Sequence, residues 1–128
     1  MKEPIWITKG ECLSFHQELV ARFGGVSDLR DEGLLDSALA RPQQAFAYGE
    51  PTLAELASFY AEGIVKNHPF LDGNKRTGLL AAAFFLETNG QVFTATEEQA
   101  VLQTLALAAG EIGAQEYGIW LSANRKSR

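Results

Sequence analysis

The sequence predicts an all-α protein: one compact domain spanning residues 1–128, a bundle of about six helices with a buried central helix following the His68–Arg76 loop. Three observations predict it. The boxes Thr8-Lys-Gly-Glu11, Thr52-Leu-Ala-Glu55 and Thr96-Glu-Glu-Gln99 each precede an apolar-periodic segment, and such boxes mark helix N-termini. The run Leu79–Leu86 is apolar on every face, the pattern of a helix packed on all sides. Strand signals hardly occur.

Taken in order, the first helix runs from the Thr8 box to Phe23 and stops at Gly24-Gly25. Its apolar positions Cys12, Leu13, Phe15, Leu19, Val20 and Phe23 mostly keep helical spacing. Asp31 to Arg41 reads as a second, short helix, ended by Pro42. A third starts at the Thr52 box and continues through about Lys66. The fourth covers Asn74 to Asn89 and is closed by Gly90. The fifth runs from the Thr96 box to Ala109, before Gly110. A sixth covers Ala114 to Ala123, with a basic tail after it. Only Gln91 to Ala95 reads as extended, and there is no internal repeat, low-complexity tract or domain linker.

Composition narrows the function. A chain of 128 residues can bury a core without covalent staples, and 46% hydrophobic with 21% charged residues is ordinary for a soluble globule. The net charge of −5 argues against a general nucleic-acid or anionic-membrane surface while leaving room for a local basic site. Cys12 is the single cysteine, so no intrachain disulfide or cysteine metal cluster can form. No apolar run reaches membrane-spanning length, and Met1-Lys-Glu-Pro lacks the apolar core of a signal peptide, so a cytoplasmic location is expected. There is no P-loop run and no basic recognition helix.

The chemistry concentrates in His68-Pro-Phe-Leu-Asp-Gly-Asn-Lys-Arg76, just ahead of the apolar run. A loop entering a helix offers free backbone N–H groups and the positive end of the helix dipole, an anion site. Lys75 and Arg76 fall in that first turn, where each cation is disfavoured by about 0.3–1 kcal/mol. Asp72 offsets only part of this. A local rule broken twice in one turn points to a polyanionic partner, with phosphate the obvious candidate.

The motif resembles the active-site motif of the Fic/Doc family, and the lysine after the asparagine looks like the Doc (death-on-curing) toxin branch. Arg22-Phe-Gly-Gly25, Leu29-Arg-Asp-Glu-Gly-Leu-Leu-Asp-Ser-Ala-Leu39, Asn67 and Phe85-Leu-Glu-Thr-Asn-Gly90 extend the likeness over roughly residues 10–95. The resemblance implies an enzyme that moves part of a nucleotide onto a protein hydroxyl. His68 then matches the general base, a role that a neutral imidazole can fill. Asp72 matches the acid that holds Mg²⁺ on the nucleotide phosphates, Gly73 and Asn74 the phosphate-cradling turn, and Arg76 the phosphate clamp. Phe70 matches the aromatic that anchors the loop. Arg22 resembles an arginine that approaches the phosphates; it also reads as a solvated charge near the carbonyl end of its helix.

Two positions depart from the AMP-transferring branch, which usually has glycine where this chain has Lys75 and a second arginine where it has Leu79. In Doc-like proteins the lysine goes with an inverted nucleotide that presents the γ-phosphate of ATP to the target. The resemblance thus implies a Doc-type kinase of a toxin–antitoxin pair, acting on a protein such as elongation factor Tu and blocking translation. AMP transfer and a non-catalytic nucleotide- or antitoxin-binding module are the alternatives. The implied partners are a small cognate antitoxin and a protein target, without direct nucleic-acid or membrane contact. Arg41 to Pro51 corresponds to a target-docking flap, where a short extended edge would pair with target backbone. Phe46 and Tyr48 within it read as packing residues. His16 reads as a satisfied structural histidine, Cys12 as a small buried apolar group, and Trp6 and Trp120 as packing residues. Ser58-Phe-Tyr-Ala-Glu62-Gly63 matches a loose autoinhibitory pattern of the family by coincidence, because it lies inside the helix leading to His68.

Overall fold

Local capping chemistry sets most helix starts. In the computed structural model, which describes residues 2–128, the Thr8, Thr52 and Thr96 hydroxyls each accept from the backbone N–H three residues on, and the Glu or Gln there returns the bond. These boxes open α1 (Lys9–Phe23), α3 (Leu53–Asn67) and α5 (Glu97–Ala108). Asp31 caps α2 (Glu32–Tyr48), and Gly113 precedes α6 (Ala114–Ala123). The fourth helix, α4 (Asn74–Thr88), starts from Gly73. Among the described residues, six helices make the predicted all-α bundle.

Two elements differ from the sequence reading, and both differences come from tertiary contacts. Pro42 does not end α2; the helix carries it internally and continues for six more residues to Tyr48. An interior proline costs about 3 kcal/mol in an isolated helix. Here Pro42 is buried, Arg41 pairs with Glu62 of α3 and lies over the Phe59 ring, and Phe46 meets Trp6 edge-on at 5.6 Å. Packing on α3 therefore outweighs local propensity. The expected extended edge between Arg41 and Pro51 is consequently helical through Tyr48. Tyr48 itself is 92% exposed and not a packing residue, whereas Phe46 packs as expected.

The basic tail is the second difference. Arg125–Ser127 forms β2, antiparallel to β1 (Gln91–Phe93), with Val92 opposite Lys126. Thr94 N–H donates to the Asn124 carbonyl at 2.7 Å and Arg128 N–H to the Gly90 carbonyl at 2.9 Å, closing the ladder at both ends.

The α3–α4 pair forms the centre, with α2 and α6 packed against α3 and α1 against α4. Tyr60, Ile64, Ala81 and Phe85 are fully buried between them. Glycine permits the close approach: a Cβ at Gly78 would lie 2.8 Å from Val65 Cγ2 and 3.1 Å from the Ala61 carbonyl oxygen. Trp6 stacks on Phe85 at 6.0 Å and Trp120 packs against Tyr117 and Phe93, the packing roles expected of both tryptophans. This core holds the C-terminus of α3 and the N-terminus of α4 as two fixed ends of one short loop.

Candidate active site

Pro69 marks where the loop begins. A residue before proline is disfavoured in the right-handed helical region, in keeping with α3 stopping at Asn67; His68 takes the left-handed conformation at φ 55°, ψ 53°, which the proline alone does not require. Among the described residues it is the single non-glycine with positive φ. Its N–H still donates to the Ile64 carbonyl at 3.2 Å. Arg30 donates from Nε to the His68 carbonyl at 2.7 Å and from Nη2 to the Asn67 carbonyl at 2.9 Å. Sequence reasoning placed Arg30 only inside a stretch of family likeness; its contact lies 38 residues away along the chain, beyond any local pattern.

The loop's floor is aromatic. Phe70 is fully buried and stacks on His16, the ring centres 3.7 Å apart and the planes within 8°. His16 is the satisfied structural histidine expected, and its bond explains why it matters here. Its Nε2 lies 2.7 Å from the Asp72 carbonyl oxygen; a carbonyl can only accept, so Nε2 carries the hydrogen. Asn74 is 4% exposed, and its side chain brackets the Phe70 backbone. Oδ1 accepts from Phe70 N–H at 3.0 Å, and Nδ2 donates to the Phe70 carbonyl at 2.9 Å. The Asn74 side chain is therefore committed to the loop, while its backbone N–H, in the first turn of α4, has no intrahelical acceptor. Gly73 supplies the φ of 80° that lets the chain enter α4.

Above this floor lies a groove of about 520 Å³ lined by His68, Asp72, Gly73, Lys75, Arg76 and Leu79 on one side. Val65, and Val101 and Leu105 of α5, give it an apolar wall, with Thr104 between them. A volume of that order suits a nucleotide-sized ligand. The His68, Asp72, Lys75 and Arg76 side chains are all solvent-accessible. Asp72 Oδ2 accepts from Val26 N–H at 3.2 Å, which aims the carboxylate while leaving Oδ1 open. Arg76 lies over the Phe23 ring at 4.3 Å, so an exposed aromatic of α1 holds the guanidinium at the groove. Sequence reasoning counted Phe23 only among the apolar positions of its helix.

The electrostatics of the α4 N-terminus are unusual within this fold. Each of the other five helices carries a glutamate in its first turn; α4 carries none and receives no side-chain cap. Its free N–H groups and two cations leave an anion site whose one nearby acid, Asp72, lies before the helix. Asp72 would fit a Mg²⁺ ion that arrives on nucleotide phosphates. No group of three His, Cys, Asp or Glu side chains gathers as a metal site among the described residues. Asp72 offers one open carboxylate, and magnesium is commonly held by one or two carboxylates plus substrate phosphates.

A family model described as the Fic/DOC family matches residues 6–86, nearly two thirds of the chain. The chain belongs to the Fic/DOC family. Curated relatives place it with the Doc branch. It is 36% identical over 108 residues to "Protein kinase doc" of Escherichia phage P1, covering 83% of this chain and 84% of that protein. It is 48% identical over 71 residues to "Toxin Doc" of Mycolicibacterium smegmatis, covering 53% of this chain and 54% of that protein.

Within this Fic/DOC fold, seven of the eight expected site residues gather at one place: His68, Phe70, Asp72, Gly73, Asn74, Lys75 and Arg76 form the loop and the first turn of α4. Arg22 stands apart, exposed in the last turn of α1 and outside the groove lining. The Ser58–Gly63 stretch is structural. Ser58 Oγ donates to the Glu55 carbonyl at 2.6 Å, Glu62 pairs with Arg41, and Gly63 lies close under Ala38. No helix among the described residues is long and apolar enough to cross a membrane.

Proposed function

We propose that this chain is a Doc-type toxin that transfers the γ-phosphate of ATP to a hydroxyl of a target protein. The observation that carries the reading is the convergence of His68, Asp72, Lys75 and Arg76 on one groove at the uncapped start of α4. The name "Protein kinase doc" of the phage relative supports phosphoryl rather than AMP transfer. So does Lys75, which occupies the position where AMP-transferring members usually have glycine. Elongation factor Tu is the target that the family resemblance suggests.

In this reading the target hydroxyl oxygen bonds to the γ-phosphorus while the bond from that phosphorus to the β,γ-bridging oxygen breaks. ADP leaves with the electron pair, and the hydroxyl proton passes to the His68 imidazole. Asp72 would hold the magnesium, which when bound neutralises charge on the nucleotide phosphates. Lys75, Arg76 and the free N–H groups of α4 bind and orient the transferred group. Nothing in the site has to act as a covalent nucleophile, so positioning and charge stabilisation carry the rate.

A small antitoxin is the second partner proposed. Val101, Leu102 and Leu105 form an exposed apolar strip on α5. Two of them also line the groove, and Leu102 and Leu105 face a shallow depression shared with Lys75. An amphipathic helix laid on that strip would cover the groove mouth.

The test uses purified elongation factor Tu, magnesium, and ATP labelled at either the γ- or the α-phosphate, with His68→Ala alongside. Transfer of the γ-label alone, lost in the variant, is the expected result. Transfer of the α-label means AMP transfer and refutes the role given to Lys75. If neither label reaches elongation factor Tu, the assay moves to a whole-cell lysate. No transfer there replaces the enzyme by a nucleotide-binding module.

A further inference from the structure

We infer that Arg30 is a positioning residue for His68, orienting the imidazole through its main chain; this rests on the transferase reading above. The hydrogen bonds made at His68 all involve its backbone. The Cα–Cβ direction from which the ring projects is therefore set by holding φ and ψ at His68 in a left-handed conformation that non-glycine residues rarely adopt. A general base of this kind needs its restraint applied to the backbone.

Arg30 and its neighbour apply it. Three successive carbonyls along the turn are taken by donors of residues 30 and 31. The Arg30 guanidinium takes those of Asn67 and His68, at 2.9 and 2.7 Å. The N–H groups of Arg30 and Asp31 both donate to the Pro69 carbonyl, at 2.6 and 3.0 Å. The same strap reaches the metal-binding side of the loop, where the Asp28 carbonyl accepts from Leu71 N–H at 3.1 Å and Val26 N–H donates to Asp72. One exposed segment before α2 thus fixes the spacing of base and carboxylate.

The chemistry of the side chain fits this task. A guanidinium presents a rigid fork of donors, which matches two adjacent carbonyls; an ammonium cannot hold both in one geometry. Its charge also opposes the carbonyl end of the α3 dipole. Arg30 does not line the groove, so its effect reaches the substrate only through His68. Asn89 is the natural comparison. Its side chain likewise brackets a remote backbone, that of Ile5, but at the far end of α4.

The test compares Arg30→Ala, Arg30→Lys and Asn89→Ala with the parent chain at a temperature where urea melts show all four fully folded. For Arg30→Ala we expect kcat for phosphoryl transfer to fall about 10- to 100-fold with the KM for ATP within about twofold, the scale of a misplaced catalytic group. Arg30→Lys should recover part of the loss, and Asn89→Ala should keep parental kcat. An unchanged kcat in Arg30→Ala overturns the inference, as does an equal loss in Asn89→Ala. The His68 ring resonance, followed by NMR in the same proteins, reads out orientation without any turnover. It should shift or broaden in Arg30→Ala alone, and an unmoved signal overturns the inference even where the parent transfers no label.

Discussion

Replacing Asn74 by alanine tests whether this side chain holds the loop or meets the phosphate. The structure commits it to the loop, through one bond to each of the Phe70 N–H and carbonyl groups. Phe70 is fully buried, so alanine would strand a donor and an acceptor away from bulk water. Each stranded group costs about 1–3 kcal/mol. Water entering the vacated space recovers part of that, and the net loss should be about 2–4 kcal/mol. A domain of this size has about 5–15 kcal/mol in total, so the variant should remain folded at 25 °C. The midpoint of thermal unfolding should drop by about 10 °C. Urea titration followed by far-ultraviolet circular dichroism measures the change directly. Asn74→Asp should cost at least as much at neutral pH, because it keeps the acceptor but turns a carboxylate oxygen toward the Phe70 carbonyl. A loss below about 0.5 kcal/mol in Asn74→Ala, within the range of ordinary surface substitutions, would refute the reasoning. Weakened nucleotide binding alongside that small loss would return the side chain to the phosphate.

Alkaline pH should unfold the protein through three buried acids. Burial pushes the Cys12 thiol from 9.0 to about 12, and the Tyr60 and Tyr117 hydroxyls from 10.0 to about 12. The folded state favours the neutral forms, so their contribution is intact below about pH 9 and is lost as pH rises toward 12; urea midpoints at pH 8 and pH 10.5 should fall in that order. His16→Phe keeps a ring on Phe70 but loses the bond to the Asp72 carbonyl. It should cost about 1 kcal/mol in urea melts and lower transfer more than that loss of stability explains. Titration calorimetry should detect Mg²⁺ binding only in the presence of ATP, and Asp72→Asn should weaken the ATP-dependent binding; tight binding by the free protein would contradict the single-carboxylate site. Lys75→Glu should stabilise the nucleotide-free protein by about 0.6–2 kcal/mol, by exchanging an unfavourable for a favourable charge at the start of α4, while weakening ATP binding; a destabilised variant would show that Lys75 has an internal anionic partner.

What could be read in the sequence was what local chemistry decides. Thr8, Thr52 and Thr96 announce their helices because cap and N3 partner lie three residues apart. The motif from His68 to Arg76 is contiguous, and Pro69 within it marks the end of α3. Pro42 misled because the contacts that carry α2 past it come from Phe59 and Glu62 on another helix. The strand at Arg125–Ser127 pairs with residues more than thirty positions away and has no apolar alternation of its own. Within the site, local pattern picked out residues that line the groove and missed those that hold them. His16 was recognised as structural, but its bond to Asp72 spans 56 residues and leaves no periodic trace. The Arg30 fork and Phe23 beneath Arg76 were hidden for the same reason.

The loop combines a stiff underside with an unsatisfied upper face. Below, Asn74 satisfies both backbone groups of Phe70, His16 holds the Asp72 carbonyl, and His16, Phe70 and Asn74 are all buried. Above, the first turn of α4 carries two cations, no glutamate and no cap, an arrangement the other five helices avoid. A chain with net charge −5 has acids to spare, so their absence from this one turn does not follow from composition. A first-turn glutamate would stabilise α4 by about 0.3–1 kcal/mol, but it would also occupy the N–H groups and repel an incoming phosphate. The stability forgone in the empty state becomes available as binding free energy when a polyanion arrives, and the stiff underside confines it to one geometry. Under the phosphoryl-transfer proposal, the uncapped first turn of α4 is therefore the part that would discriminate a correctly placed phosphate from one displaced along the groove.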